Sequence, residues 1–177
     1  MRARSLVVVA LVISATRASA QGASADSTQP ADAPSSGWIV GASLGVPGHR
    51  KEWTPDLFTL GVTFTGARPN HLVPDVAIGT MPYALAFGVV PIGIRGGVGL
   101  PLAIAPHLLL IPSGGVSVIA VGSPGGGGGV GGLNYGVSAI AHLQHIGLRA
   151  GVTWHYLTST DSPFWLAEVG IVHVPLP

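Results

Sequence analysis

The sequence predicts an all-β protein: a closed antiparallel up-and-down transmembrane β-barrel of eight strands, preceded by a signal peptide and a short disordered leader. Three observations lead to this prediction. Apolar residues alternate with small or polar ones in segments of about ten residues, the length of a tilted membrane strand. Only 8% of the residues are charged. The N-terminus has the charge and hydropathy pattern of an export signal.

The first 20 residues contain the three parts of a secretory signal peptide. Arg2 and Arg4 supply the positive charge, Leu6–Ile13 is the apolar run, and Ala18-Ser19-Ala20 is the cleavage site. The apolar run is much shorter than the roughly 20 residues that a membrane-spanning helix needs. We therefore predict a signal peptide over 1–20, a disordered leader over 21–36 that lacks aromatic and branched aliphatic residues, and a barrel over 37–177.

Six segments alternate cleanly between an apolar face and a small or polar face. They are Gly37–Val46, Leu57–Gly66, Ile92–Ile104, Leu133–Leu143, Ile146–Tyr156 and Phe164–Val174. Successive side chains of a strand point to opposite faces, so each segment predicts one apolar surface. None of these apolar surfaces carries an aspartate, glutamate, lysine or arginine residue. This pattern is typical of strands whose outer face meets lipid.

Two less regular segments complete the eight strands. Asp75–Val89 changes parity near Thr80-Met81-Pro82, where we predict a bulge, and His107–Val121 is predicted to bend at Gly114-Gly115. The connections on one side of the barrel are then Pro47–Asp56, Val90-Pro91, Gly122–Gly132 and Thr158–Pro163. On the other side, Gln144-His145 is a two-residue turn that pairs Leu143 with Ile146. The Gly125–Gly129 run is predicted to be a flexible surface loop.

The order of signal peptide, eight alternating segments, long loops on one side and short turns on the other resembles the small outer-membrane β-barrel proteins of the OmpA/OmpX type. The resemblance covers Gly37–Val174. It implies an outer-membrane location, lipid as the main partner, and surface loops available for binding an unidentified ligand. The chain departs from that family at its end, Val174-Pro175-Leu176-Pro177, which lacks the usual terminal aromatic residue.

Two other architectures are alternatives to the membrane barrel. A secreted soluble barrel that binds a small apolar ligand, as lipocalins do, would turn its apolar face inward and its charges outward. In this chain the few strand charges share the glycine-rich face, which favours the membrane barrel. Membrane-spanning helices are disfavoured because Pro101, Pro106 and Pro112 interrupt the longest uncharged stretch.

The glycine-rich faces also carry the candidate interior residues. These are Arg95, Arg149, Glu168, His142 and His155. One interpretation is a buried polar network in which Glu168 neutralises Arg95, Arg149 or His155, because an unpaired buried charge is costly. The other is a path for protons or ions, which the sequence favours less. The candidate membrane-interface aromatic residues are Trp38 at one rim and Tyr135, Trp154, Tyr156, Phe164 and Trp165 at the other.

Several function classes are disfavoured by composition and placement. The net charge of +1 and the absence of a basic stripe argue against nucleic acid as a partner. The sequence contains no cysteine, and the histidines are not predicted to lie close to one another. We therefore predict no metal site and no other cofactor. Ser43, Ser117 and Ser138 face inward in the predicted strands, and no Ser/His pair is predicted on the lipid face. We therefore predict that the protein is not an enzyme.

Overall fold

Ten antiparallel strands and one short helix make up the described part of the computed structural model, which covers residues 37–49, 52–53, 58–158 and 163–175. The predicted signal peptide (1–20) and leader (21–36) lie outside these residues. The elements are β1 (Trp38–His49), β2 (Glu52–Trp53), β3 (Thr59–Gly66), β4 (Val73–Thr80), α1 (Pro82–Leu85), β5 (Val90–Gly99), β6 (Leu102–Ala105), β7 (Leu108–Ser123), β8 (Gly126–Leu143), β9 (Ile146–Leu157) and β10 (Phe164–His173).

The sheet closes on itself through β1, which pairs with β3 on one edge and with β10 on the other. The order around the barrel is β10-β9-β8-β7-β5-β4-β3-β1. The two short strands extend existing positions, since β2 pairs with the end of β1, and β6 pairs with β7 beyond the end of β5. The predicted closed, eight-stranded, up-and-down barrel is therefore confirmed. No helix in the described ranges has the length and hydropathy needed to cross a membrane.

The two faces of the wall differ as the alternation predicts. On β3, Leu60 is 47% exposed on the outer surface, whereas Thr63 and Thr65 are almost completely buried inside. The same contrast holds on β9 and β10, where Leu148 and Ile171 are exposed and Arg149 is buried. The barrel therefore has an apolar outer surface and a largely small or polar inner surface in its middle section.

The barrel has two ends, a terminal end and a loop end, which contain different chain segments. The terminal end contains Gly37, Val174 and the Gln144-His145 turn, and the amide of Val174 donates to the carbonyl of His145 at 2.8 Å. The predicted pairing of Leu143 with Ile146 across this turn is confirmed. The turn places Gln144 at a φ of +52°, in the left-handed region. The loop end contains the β4–β5 and β7–β8 connections.

Two predicted strands are shorter than expected, and proline explains both. The segment predicted as Asp75–Val89 ends at Thr80, and α1 follows with Pro82 in its first turn. Proline has no N–H for the sheet but is well suited to the first turn of a helix. The segment predicted as Ile92–Ile104 is divided at Leu100-Pro101 into β5 and β6 for the same reason. The predicted Val90-Pro91 loop is instead the start of β5.

The predicted connection over Gly122–Gly132 and the flexible loop predicted within it over Gly125–Gly129 are wrong in the structure. β7 continues to Ser123, the turn is Pro124-Gly125, and β8 begins at Gly126. The two strands pair without interruption from Ser123↔Gly126 to Ala120↔Gly129 and beyond. Sheet hydrogen bonds use main-chain groups, so a run of glycines can take part in them despite its low strand propensity. The result is a glycine-rich hairpin in which β7 pairs with β5 as far as Gly122, whereas β8 extends beyond its last partner on β9, Leu157.

Two glycines on the inner surface allow a close approach of β5 and β7, where Gly97 pairs with Gly115. A methyl group on either residue would overlap the main chain of the opposite strand. We expect Gly97→Ala to lower the free energy of unfolding by about 1–3 kcal/mol, the usual cost of overpacking. Urea titration of the detergent-solubilised protein, followed by tryptophan fluorescence, measures this loss.

Gly128→Ala is the matched control for that substitution, because a methyl group there meets no atom within 4 Å. It should leave the urea midpoint nearly unchanged. Equal midpoints for Gly97→Ala and Gly128→Ala would show that the close pairing of β5 and β7 contributes nothing to stability.

Candidate functional site in the barrel interior

An aliphatic cluster fills the terminal end of the barrel interior. It consists of Ile39, Ala67, Leu109, Ile111, Ile140, Val172 and Val174. All seven side chains are at most 2% exposed, so solvent does not reach them. The alternation of the regular segments predicts Ile39, Ile140 and Val172 as inward, but the expected polar interior is replaced at this end by an apolar core.

An ion pair crosses the middle of the interior. Arg95 Nη1 on β5 donates to Glu168 Oε2 on β10 at 2.9 Å and to Thr153 Oγ1 at 2.6 Å. Ser43 Oγ donates to the other carboxylate oxygen of Glu168 at 3.3 Å. The sequence left three candidate partners for Glu168, and the structure pairs it with Arg95.

A second ion pair involves an acidic residue that the sequence analysis missed. Arg149 Nη2 lies 3.7 Å from Asp75 Oδ1, and Thr65 Oγ1 donates to the same oxygen at 2.6 Å. Arg149 Nη1 also donates to Thr65 at 3.1 Å. Asp75 lies at the start of the segment Asp75–Val89, in which the alternation of apolar and polar residues is interrupted. The sequence pattern therefore does not assign Asp75 to the inner or the outer face. The small residues Ala77 and Gly79, at alternate positions after it, were the available sign that it faces inward.

A serine and a histidine are hydrogen bonded on the loop-end side of the ion pairs, on the inner face of the barrel rather than on the outer face, where no such pair was predicted. Ser117 Oγ lies 2.9 Å from His155 Nδ1, and Asn134 Nδ2 donates to Ser117 Oγ at 2.8 Å. Ser117 on β7 and His155 on β9 are separated by β8, so their contact bridges two strands that are not paired with each other. His155 Nε2 has no hydrogen-bond partner among the described residues. The arrangement therefore lacks the third group that orients the histidine of a catalytic triad.

His142 is not part of the polar network in which it was predicted. It is 3% exposed at the terminal end, and its ring meets that of His107 edge to face with centroids 5.6 Å apart. Neither ring nitrogen of His142 has a hydrogen-bond partner within the described ranges. No group of three or more histidine, aspartate or glutamate residues in the described part of the chain could hold a metal ion.

The aromatic residues occupy both rims, with one correction. Trp38 is exposed at the terminal end, and near the loop end Tyr135 stacks against Trp154 at 5.5 Å and against Tyr156 at 5.8 Å on the outer surface. Trp165 is the sheet partner of Trp154. Phe164, predicted with them, instead shares the inner face of β10 with Glu168 and stacks on His155 at 4.6 Å. Phe164 and Trp165 are consecutive residues of a strand, so their side chains point to opposite faces of the barrel wall.

A cavity of about 100 Å³ lies in the loop-end half of the interior. Its lining surface is almost entirely apolar and includes Phe164 and Leu166, while Arg95, Ser117, His155 and Glu168 lie along one part of it. The four polar residues are those of the ion pair and the Ser117–His155 hydrogen bond. The cavity therefore adjoins the polar network but has a mainly apolar surface.

Comparison with known proteins supports the fold. The chain is similar to the N-terminal β-barrel domain of OprF from Pseudomonas aeruginosa, with a TM-score of 0.56, 12% identity, and coverage of 76% of this chain and 96% of that one. It is also similar to Ail, the attachment invasion locus protein of Yersinia pestis (TM-score 0.53, 11% identity, 78% and 96% coverage). Neisserial surface protein A gives a TM-score of 0.53 at 11% identity, with 77% and 96% coverage. No protein-family model and no curated protein matches the sequence.

Proposed function

We propose that the protein is an integral outer-membrane β-barrel without enzymatic activity, exported by a signal peptide over 1–20 followed by a leader over 21–36. Its lumen is filled by side chains over most of its length, and its loop end is available for binding at the cell surface. The observation that carries this proposal is the inversion of polarity: apolar residues cover the outside, and the ion pairs Arg95–Glu168 and Asp75–Arg149 lie inside. Ionisable residues of membrane proteins face the protein interior in this way.

The dimensions of the outer surface agree with a bilayer. On β10 the outward residues run from Trp165 near the loop end to His173 at the terminal end. The eight residue-to-residue steps between them span roughly 26 Å before tilt is considered, close to the apolar band of about 25 Å in outer-membrane barrels. Aromatic residues stand at both limits of this band, as they do at membrane interfaces.

The exposure of apolar side chains on the outer surface argues against the soluble ligand-binding barrel. Leu133, Leu148 and Ile171 are each more than 60% exposed on the outer surface, and a soluble monomer rarely exposes a continuous apolar patch of that kind. The solved structures that resemble the chain include the barrels of OprF, Ail and Neisserial surface protein A. They support the proposal through fold alone.

The absence of catalysis is proposed from the setting of the Ser117–His155 pair. Both side chains are at least nine-tenths buried, and the serine hydroxyl is engaged by Asn134 as well as by the histidine. Neither His155 nitrogen contacts a carboxylate within the described ranges. A hydrolytic serine needs an accessible hydroxyl and an oriented base, and this geometry offers neither.

Cell fractionation tests the proposed location. Because the outer surface is apolar, we expect the protein to sediment with outer-membrane fractions, to resist extraction by alkaline carbonate, and to dissolve only in detergent. A soluble periplasmic protein and a known integral barrel from the same cells serve as controls. Recovery of the folded protein in the salt-washed soluble fraction would contradict the membrane location and support the soluble ligand-binding barrel.

A further inference from the structure

The first residues of β8, at the loop end, have a strand partner on one side only. β8 pairs with β7 from Gly126 onward, whereas its pairing with β9 begins at Gly132. Next to that pairing, the amide of Thr158 donates to the carbonyl of Gly131 at 3.0 Å. Within the described residues, Gly126–Val130 therefore has no strand on its β9 side. We call this stretch the free edge.

The hydrogen bonds along β8 show which main-chain groups point into the free edge. In an antiparallel ladder, successive residues direct their N–H and C=O groups to opposite neighbours. The amide of His142 donates toward β7, to the carbonyl of His107 at 2.9 Å, whereas the carbonyl of Gly131 accepts from the residue after β9. The register between β7 and β8 has no shift between these positions. The N–H and C=O groups of Gly127 and Gly129 therefore point away from β7, into the free edge.

The free edge lacks the features that usually prevent a strand edge from pairing. Proteins protect such edges with charged side chains, with proline or with bulges. Residues 126–129 are all glycine and all exposed, and Pro124 lies in the turn rather than on the edge. No aspartate, glutamate, lysine or arginine occurs between Arg95 and Arg149. Two identical copies of this hairpin can therefore approach without repulsion between like charges.

The geometry of the free edge matches a second copy of itself in the antiparallel direction. A symmetric dimer uses the same surface of both copies. With the two-fold axis at Gly128, Gly127 lies opposite Gly129 of the second copy, and each such pair exchanges both N–H and C=O groups. A two-fold axis along the strands would instead set identical N–H and C=O groups against each other, which does not give the slanted bonds of a parallel ladder.

We propose that the free edge binds the free edge of a second copy of this chain, in antiparallel register about Gly128, so that the two β7–β8 hairpins form one sheet. Sheets of more than two strands are more stable than a single hairpin. Antiparallel pairing turns the two loop ends toward each other. Since the proposed function places the loop end outside the cell, and this step rests on it, the two copies belong to facing membranes. Many weak pairs between two surfaces act together.

Spin labels test the register of the pairing. The sequence contains no cysteine, so Gly125→Cys places a single label, at a position where a side chain meets no atom within 4 Å. In the proposed register the two labelled positions lie roughly 20 Å apart along the paired strands. Pulsed electron–electron double resonance on the full-length protein in detergent micelles should show this distance. Its absence would overturn the proposal.

Gly129→Pro and Gly129→Ala are a matched pair of variants for this measurement. Proline removes the N–H that points into the free edge and keeps the bonds to β7, a position where edge strands tolerate it. Alanine keeps that N–H, and its methyl group would lie 3.4 Å from the carbonyl oxygen of Ile119, an ordinary contact. We expect Gly129→Pro to weaken the association at least roughly tenfold and Gly129→Ala to change it less than about twofold. Equal association of the two variants would contradict pairing through the main chain.

Vesicle capture tests whether the pairing joins facing membranes. Fluorescent phosphatidylcholine vesicles that contain the protein are added to immobilised vesicles with or without it. We expect capture only when both populations contain the protein, and its loss with Gly129→Pro. Labelling of Gly125→Cys with an impermeant maleimide, before and after lysis, measures the fraction of loop ends on the outside, and capture is compared at equal fractions.

The outcomes separate this pairing from the proposed membrane location. Capture by protein-free vesicles would contradict a second copy as the partner. Vesicles whose loop ends face outward but which are not captured would contradict pairing across facing membranes. A chain that shows the expected label distance in micelles but does not float with the vesicles would support the pairing and contradict the membrane location.

Discussion

Replacing Glu168 with glutamine is expected to lower the free energy of unfolding by up to about 3–5 kcal/mol, the cost of leaving a buried charge without its partner. Arg95 would keep its hydrogen bond to Thr153 Oγ1 but lose the carboxylate at 2.9 Å. Arg95 is 8% exposed, so water cannot replace the lost charge without a rearrangement of the interior. Urea titration of the protein folded in lipid vesicles measures the loss.

A double-mutant cycle identifies the partner. Glu168→Gln combined with Arg95→Met removes both charges, and the double variant should recover part of the loss because no charge is left unpaired. The same cycle with His155→Gln should show a smaller coupling energy, because no hydrogen bond or ion pair joins His155 to Glu168 in the described residues. A larger coupling with His155 would mean that the pairing of Arg95 with Glu168 is wrong.

Glu168→Gln also distinguishes a structural role of the inner charges from a role in ion conduction. The aliphatic cluster around Ile39, Leu109 and Ile140 fills the terminal end, so we expect no steady ion current through the reconstituted parent protein. A selective current in the parent that disappears in Glu168→Gln would instead make the inner charges an ion path.

Placing arginine at Val169 is expected to cost about 2–4 kcal/mol in lipid vesicles, the range found for arginine at the middle of the bilayer. Val169 is 55% exposed on the outer surface, and it lies midway between Trp165 and His173 on β10. The loss should be measured as a lower urea midpoint and a smaller folded fraction in vesicles. It is expected to be much smaller in short-chain detergent, where water reaches the surface more easily.

Ala120→Arg is the matched control for Val169→Arg. Ala120 is exposed on the same outer face, in the part of the β7–β8 hairpin beyond the aromatic residues. Arginine there should be tolerated within about 0.5 kcal/mol, as at an ordinary surface position. Equal effects of the two substitutions would show that the outer surface around Val169 does not contact lipid.

Most features of the fold were predicted from the alternation of apolar and polar residues along the strands. Exposure of Leu60 and burial of Thr63 follow from it, as does the pairing of Leu143 with Ile146 at the two-residue turn. The predictions were wrong where hydropathy or residue propensity disagreed with the capacity of the main chain to form sheet hydrogen bonds. Pro82 and Pro101 ended strands that the hydropathy pattern continued, and the Gly126–Gly129 run paired as a strand because the ladder needs no side chains.

The sequence by itself determined the number of strands, the two faces of the six regular segments, and the inward position of Arg95, Arg149, Glu168 and His155. Only the tertiary structure decided which of these groups meet. Arg95 reaches Glu168 from β5 to β10, and Ser117 reaches His155 from β7 to β9, across an interior rather than along one strand pair. The heights of such residues relative to one another depend on the stagger of all eight strands. That stagger is set when β10 closes on β1, which no single segment encodes.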